Sequence, residues 1–132
     1  MLASGDRSGN LYLWNRTTRG ERRLPAHQNT IQHLFFSPAG DVLYSTSYDG
    51  TSKAWNPRSG RLLFTTSHGS ADTASLDGRR VAFRSQLGWS VWNVSAPEGL
   101  TTLSTANGLD PLVWHLDFSP DGRWLAATKR DG

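Results

Sequence analysis

The sequence predicts an all-β protein built from a repeated unit of short antiparallel strands. Three Trp-Asn pairs, which begin at Trp14, Trp55 and Trp92, recur at nearly equal intervals. A second marker recurs with them as "FSPAGDVL", "ASLDGRRV" and "FSPDGRWL", and a stretch that ends in glycine precedes each Trp-Asn pair. Because these markers keep one order along the chain, they indicate a true internal repeat.

Each unit is predicted to contain four strands. In the best-defined unit, "TIQHLFFS" and "DVLYSTS" read as strands, and the turn-forming "SPAG" closes the first of them. Asp49-Gly50 then predicts a tight hairpin into "TSKAWN", and "PRSG" predicts the turn into "RLLFTT". No window shows the apolar stripe of a helix. Short strands separated by frequent, regularly spaced turns are typical of all-β folds.

The composition fits this class and excludes several others. With 19% charged residues, 13 glycines and 6 tryptophans, the chain does not resemble a disordered segment, which is charged and poor in aromatics. It has no cysteine, and therefore neither a disulfide framework nor a thiolate metal site. No apolar run approaches the roughly 20 residues of a membrane span, and residues 1–20 are too polar for a signal peptide. We therefore expect a cytoplasmic protein with no membrane partner.

These repeated features resemble the WD-repeat family, whose members are β-propellers with four-stranded antiparallel blades around a channel. The resemblance covers essentially the whole chain, and it implies about three blades, incomplete at both ends. The expected division is a partial blade (1–26), a complete blade (27–67), a degenerate complete blade (68–106) and the first half of a blade (107–132). A ring needs about 4 to 8 blades. We therefore expect a segment of a larger propeller or, alternatively, a self-assembling fragment that closes a ring as a homodimer.

The resemblance also implies a hydrogen-bonded tetrad in the unit that starts near residue 27. In WD repeats, a histidine, a serine or threonine on the second strand, an aspartate in the next turn and the tryptophan bond to one another. The matching residues are His27, Ser45, Asp49 and Trp55. Such a set lets a buried imidazole, hydroxyl, carboxylate and indole N–H satisfy one another. Trp14 and Trp92 are expected to anchor their own blades.

The other units depart from this pattern. Ser8 takes the aspartate position in the first unit, Leu87 takes it in the degenerate unit, and Ala127 takes the serine position in the last. With one complete tetrad, the remaining blades are expected to depend more on apolar packing. Trp89 and Trp114 are extra to the anchor pattern and are predicted to pack between blades.

The tetrad residues also raise a catalytic alternative. Ser45, His27 and Asp49 are the residue types of a hydrolase triad, but no G-x-S-x-G segment surrounds the serine, and the tetrad already accounts for all three. His33 and His115 occupy matched places in the first strands of two units, which favours a repeat position over a ligand role. No metal or cofactor motif is present. We expect neither enzyme activity nor a bound metal or cofactor.

The expected function is therefore non-catalytic binding of a protein or peptide. The turns between second and third strands and the links between blades build one exposed face, which suits such binding. The candidate residues in the turns are Arg7, Tyr48, Gln86 and Arg130, and those in the links are Gln28, Asn29 and Ser70. Tyr48, Arg7 and Arg130 rank first, because tyrosine and arginine are favoured at binding hot spots.

The basic charge does not favour a nucleic-acid partner. The net charge is +3 and the pI about 9.8, and the arginines cluster in "RTTRGERR". Glu21 interrupts that cluster and no aromatic residue interleaves it, whereas nucleic-acid surfaces combine stronger net charge with stacking residues. A solvated connection between strands explains the cluster better.

Overall fold

The computed structural model describes residues 1–67, 69–86, 88–94, 100–107 and 113–129. Within these ranges the chain forms strands and turns without a helix. The strands are β1 (Leu2–Gly5), β2 (Asn10–Trp14), β3 (Glu21–Pro25), β4 (Ile31–Phe36), β5 (Leu43–Ser47), β6 (Ser52–Trp55), β7 (Leu62–Thr66), β8 (Ser70–Ala74), β9 (Arg80–Ser85), β10 (Gly88–Val94), β11 (Leu100–Asn107), β12 (Val113–Phe118) and β13 (Leu125–Lys129).

The described strands form four antiparallel sheets in chain order. Sheet 1 contains β1-β2-β3, sheet 2 contains β4-β5-β6-β7, sheet 3 contains β8-β9-β10-β11, and sheet 4 contains β12-β13. Every hydrogen-bonded neighbour is also the next strand in sequence, so each sheet is an up-and-down meander. Short turn-linked strands favour this topology, because hairpins bring consecutive strands together. The all-β prediction, with four-stranded antiparallel sheets, is confirmed.

The Trp-Asn repeat marks one register position in three sheets. Each tryptophan lies on the last strand but one of its sheet and pairs with a residue at or next to the start of the preceding strand. The pairs are Leu2↔Trp14, Leu43↔Trp55 and Val81↔Trp92. The interval between successive Trp-Asn pairs is therefore the length of chain that builds one sheet.

The turns between the first and second strands share one geometry. Gly40, Gly78 and Gly122 have φ angles of 71°, 69° and 68°. Each glycine N–H donates to the carbonyl of the serine three residues earlier, at 2.8 Å. Such φ values suit glycine because it has no Cβ. The recurring Ser-x-x-Gly therefore fixes the same turn in three units.

Apolar clusters join consecutive sheets face to face. The first, between sheets 1 and 2, is centred on Leu11, Leu43 and Trp55. The second, between sheets 2 and 3, contains Tyr44 and Phe83, and a third lies between sheets 3 and 4. Leu43 and Tyr44 are adjacent on β5, but they enter different clusters because side chains alternate along a strand. Both faces of sheet 2 are therefore buried.

The prediction for the two extra tryptophans is right for one and wrong for the other. Trp89 packs against the cluster between sheets 3 and 4. Trp114, however, is 58% exposed. The register of β12 against β13 shifts between Val113 and His115, which leaves Trp114 outside the regular pairing. Such an extra residue is not held to the inward-outward alternation of the strand.

Candidate site: a buried tetrad beneath a surface of turns

The structure brings the four predicted tetrad residues together. His27 lies in the link before β4, Ser45 on β5, Asp49 in the β5–β6 turn, and Trp55 at the end of β6. The Trp55 Nε1–H donates to Ser45 Oγ at 2.8 Å, and the same oxygen lies 2.8 Å from His27 Nε2. His27 Nδ1 lies 3.0 Å from Asp49 Oδ2. The network thus connects two strands, a turn and the preceding link.

A neutral imidazole satisfies every bond of this network. The Asp49 carboxylate is a pure acceptor, so the proton belongs on His27 Nδ1 and points toward Asp49. His27 Nε2 then accepts the hydroxyl proton of Ser45, whose oxygen accepts the indole N–H of Trp55. Burial lowers the pKa of His27, and it outweighs the hydrogen bond and charge of Asp49, which would raise that pKa. The histidine side chain is fully buried, which favours the neutral form.

Asp49 holds the β5–β6 turn in place. Its Oδ1 accepts the Thr51 backbone N–H at 2.9 Å and the Thr51 hydroxyl at 2.6 Å, and its Oδ2 accepts the Gln28 N–H at 3.0 Å. Burial alone would raise the pKa of Asp49. The hydrogen bonds from Thr51, Gln28 and His27 outweigh this effect and hold the pKa well below its usual range. The carboxylate stays charged and ties the turn to the link at Gln28.

Gly9 positions the histidine from the neighbouring sheet. Its carbonyl accepts the backbone N–H groups of Ala26 and His27 at 3.0 and 2.9 Å. Gly9 has φ of +82°, and a Cβ there would lie 2.1 Å from the His27 carbonyl oxygen. Only glycine allows this approach, so the β1–β2 turn of sheet 1 fixes the start of the next unit.

The tetrad has the connectivity of a hydrolase triad but not its access. A nucleophilic serine must reach a substrate carbonyl. Ser45 is 1% exposed, and its oxygen already accepts the indole N–H of Trp55. The hydrogen bonds of this arrangement therefore hold β5, β6, the β5–β6 turn and the preceding link together.

Sheet 3 holds its tryptophan differently. Phe83 pairs with Ser90, as Ser45 pairs with Lys53 in sheet 2, so Phe83 occupies the register position of Ser45. The Trp92 Nε1–H donates instead to Ser90 Oγ at 2.7 Å, within β10. Phe83 is 1% exposed and packs edge-on against the Trp92 ring, with ring centroids 6.3 Å apart. The predicted aspartate position of this unit, Leu87, lies outside the described residues.

Sequence reasoning missed the carboxylate that organises the first turn. It assigned the aspartate position to Ser8, but Asp6 accepts the backbone N–H groups of Ser8 and Asn10, the Asn10 side-chain amide and the Tyr12 hydroxyl. The hydrogen bonds from Asn10, foremost that of its side chain, lower the pKa of Asp6. The signal was present as an aspartate three residues before the turn glycine of "GDRSGN".

The predicted binding residues lie at the turn end of the sheets, above the tetrad. Tyr48 is 67% exposed, Arg7, Gln28, Asn29 and Gln86 are exposed, and Ser70 is half-buried. Arg130 lies outside the described residues. Arg7, Gln28, Asn29 and Tyr48 are called the turn surface below.

Hydrogen bonds to backbone carbonyls join the segments of the turn surface. The Tyr48 N–H donates to the Thr30 carbonyl at 3.1 Å, and the Thr30 hydroxyl donates to the Arg7 carbonyl at 3.1 Å. The Ser47 hydroxyl donates to the Asn29 carbonyl at 2.9 Å. The β1–β2 turn, the β3–β4 link and the β5–β6 turn therefore form one contiguous surface.

A cavity of about 790 Å³ opens beside this surface. Gln86 and Ser70 line it, together with Gly50 and Thr51 of the β5–β6 turn. Among the described residues, its ionisable lining side chains are those of His33, Asp72, Arg84 and His115. Across the described residues, no three side chains of the metal-binding types cluster as a metal site. Nor does the described chain include a helix long and apolar enough to cross a membrane.

Comparison with known proteins identifies the family. The family model described as "WD domain, G-beta repeat" matches residues 20–56 and 99–132, which together exceed half of the chain. The chain belongs to the WD-repeat family. The resemblance seen in the Trp-Asn and turn markers is thereby confirmed.

Individual WD-repeat relatives match part of the chain. Ribosome assembly protein 4 of Chaetomium thermophilum is 37% identical over 65 residues, which are 47% of this chain and 13% of that protein. The Protein LST8 homolog of Drosophila melanogaster is 37% identical over 62 residues, 41% of this chain and 20% of that protein. The matched region is thus no more than about a fifth of these relatives' length.

A solved structure shares the fold. A chain in the crystal structure of a mitotic checkpoint complex superposes with a TM-score of 0.78 at 20% identity, over 98% of this chain and 44% of that chain. This likeness supports the WD-repeat propeller fold, and it carries no information about partners.

Proposed function

We propose that this chain is a non-catalytic scaffold that binds a protein or peptide through the turn surface, as part of a larger WD-repeat propeller in the cytoplasm. The observation that carries the proposal is that hydrogen bonds to the β3–β4 link fix the turn on which the exposed Tyr48 stands. Tyr48 lies between Ser47 and Asp49, and those two neighbours bond to the link at Asn29 and Gln28. Relatives named for ribosome assembly agree with a binding role.

Preorganisation is the physical reason why this surface suits binding. A binding loop loses conformational entropy when it becomes ordered on association, and a loop already fixed avoids that cost. The Tyr48 N–H and the Asp49 carboxylate both bond to the β3–β4 link. An exposed tyrosine on a fixed turn offers a large contact area at little entropic cost.

Burial of the tetrad supports a non-catalytic role. A substrate carbonyl has no approach to Ser45 Oγ, because Ser45 lies beneath the turn and is only 1% exposed. The lowered pKa of His27 and the full burial of its side chain fit a histidine that stays neutral and structural. We therefore assign these residues to holding the turn surface.

Photo-crosslinking tests the proposed surface. With benzoylphenylalanine at position 48, we expect a discrete cross-linked partner from a cell extract. The matched control carries the same group at Leu76, which is 64% exposed in the β8–β9 turn at the opposite end of the sheets. Equal products from both positions would contradict the assignment of the turn surface.

A second candidate function is self-association through the end sheets. Trp124 in the β12–β13 turn is 74% exposed, Trp114 on β12 is 58% exposed, and Leu2 on β1 is 59% exposed. Apolar faces of this kind favour association. Light scattering across a dilution series tests this candidate: a stable dimer supports ring closure by a second copy, and a monomer at every concentration excludes it.

A further inference from the structure

A buried carboxylate occupies a sequence position where two other units carry leucine. Asp72 lies three residues before the turn serine of its unit, as Leu34 and Leu116 do in theirs. The Asp72 side chain is 3% exposed. A carboxylate buried in this way costs free energy unless a cation and hydrogen bonds compensate for the lost hydration. The substitution therefore calls for an explanation.

Asp72 is compensated from two sheets. Arg84 Nη2 donates to Asp72 Oδ1 at 3.3 Å, and Arg84 Nε lies 3.3 Å from Asp72 Oδ2. The backbone N–H of Leu116, on β12, donates to Asp72 Oδ2 at 3.2 Å. Asp72 thus holds Arg84 in place and connects sheet 3 to sheet 4.

The pair presents its cation to the cavity. The Arg84 side chain is 32% exposed, whereas that of Asp72 is 3% exposed. A guanidinium has five N–H donors, and Asp72 takes a hydrogen bond from one of its nitrogens, Nη2. Arg84 Nε is itself buried against Asp72 and makes no hydrogen bond with good geometry, so it is closed to a ligand. The donors that can meet an acceptor in the cavity are therefore those of the terminal guanidinium nitrogens.

The other described residues that line the cavity favour an anionic ligand. Asp72 is the one carboxylate among the described lining residues, and it is turned away from solvent. His33 and His115 add imidazoles, while Gln32 and Gln86 add amides that pair with a peptide backbone. One guanidinium suits a single carboxylate, whereas nucleic acids are bound by several cations along a track.

We propose that this cavity binds an acidic segment of the partner protein, with an aspartate or glutamate carboxylate on Arg84. The inference rests on the proposed protein-binding function and specifies the partner's chemistry. Asp72 is a positioning residue: it fixes the guanidinium and lies behind it, so a ligand meets the positive end of the pair. The cavity and the turn surface adjoin at the β5–β6 turn, so one partner chain spans both.

Fluorescence anisotropy with two labelled peptides tests this proposal. One peptide is rich in glutamate on a Gly-Ser background, and the other carries glutamine at the same positions. We expect the 132-residue chain to bind the glutamate peptide at least about tenfold more tightly, because charged hydrogen bonds are the stronger ones. Equal affinities would overturn the proposal.

Variants locate the effect. Arg84→Gln is expected to remove the preference for glutamate, whereas Arg79→Gln, which removes an exposed arginine in the β8–β9 turn, is expected to keep it. Because Arg84→Gln leaves a buried carboxylate without its cation, Asp72→Asn/Arg84→Gln is measured in parallel, with thermal unfolding as a check on folding. Loss of the preference in Arg79→Gln to the same extent would overturn the proposal, since it would reflect net charge alone.

Three further outcomes test the acidic-peptide assignment and distinguish it from the proposed function on which it rests. If a single-stranded oligonucleotide displaces the peptide and itself depends on Arg84, the acidic-peptide assignment is wrong. If cross-linking at position 48 yields a partner but the glutamate preference is absent, this inference fails and the turn surface stands. If the preference is present but position 48 yields no partner, the cavity binds acidic peptides and the turn surface fails.

Discussion

Replacing Ser45 with alanine is expected to lower the free energy of unfolding by about 3 kcal/mol, because an unpaired buried polar group costs roughly 1–3 kcal/mol. The substitution removes the acceptor of the Trp55 indole N–H and the donor to His27 Nε2. Both groups would stay buried without partners. Urea unfolding, followed by tryptophan fluorescence, measures the loss.

Two further serine variants separate the hydrogen bonds from general effects of substitution. Ser45→Thr keeps a hydroxyl and is expected to lose less stability than Ser45→Ala. Ser8→Ala removes an exposed hydroxyl and is expected to change the unfolding free energy by less than about 0.5 kcal/mol. A loss under about 1 kcal/mol in Ser45→Ala would mean that the tetrad contributes little.

Replacing Phe83 with alanine is expected to cost about 3–5 kcal/mol, which is the usual loss for a large aromatic side chain removed from a core. Phe83 is 1% exposed between sheets 2 and 3 and packs against the Trp92 ring. It occupies the register position that Ser45 holds in sheet 2. The same denaturant experiment measures the loss.

Matched variants define what this loss means. Phe83→Leu keeps much of the apolar volume and is expected to lose clearly less than Phe83→Ala. Leu76→Ala, at a residue 64% exposed, is expected to be nearly neutral. If Phe83→Ala were as mild as Leu76→Ala, sheet 3 would not depend on apolar packing at this position. Large losses in both Ser45→Ala and Phe83→Ala would show that neighbouring sheets use different chemistry at one register position.

Local signals explain which features the sequence predicts well. The Trp14, Trp55 and Trp92 spacing and the turn glycines are set within single units, so the pattern of strands follows from short stretches of chain. The tetrad residues all lie within one unit, from His27 to Trp55, and the structure brings them within hydrogen-bond distance. Their structural role stays a prediction until Ser45→Ala is measured.

Features that depend on register or on contacts between sheets are not visible in the sequence. The exposure of Trp114 follows from an irregularity in the pairing of β12 with β13. The Asp72–Arg84 pair forms because β8 and β9 are neighbours and β12 supplies the Leu116 N–H. The repeat places Asp72 where two other units carry leucine, but nothing in "SADTA" indicates that Arg84 pairs with it. Such features require the packed sheets.

The affinity of the partner that is cross-linked at position 48 tests whether a partner protein binds the turn surface held in place by the tetrad. We expect Tyr48→Ala to weaken binding at least about tenfold, the loss typical of a hot-spot tyrosine. Leu76→Ala, an equally exposed turn residue at the opposite end, is expected to bind as the unmodified chain does. Both variants should unfold at the same temperature as that chain. Equal affinity of Tyr48→Ala and Leu76→Ala for the partner would show that the partner does not bind through Tyr48 on the turn surface.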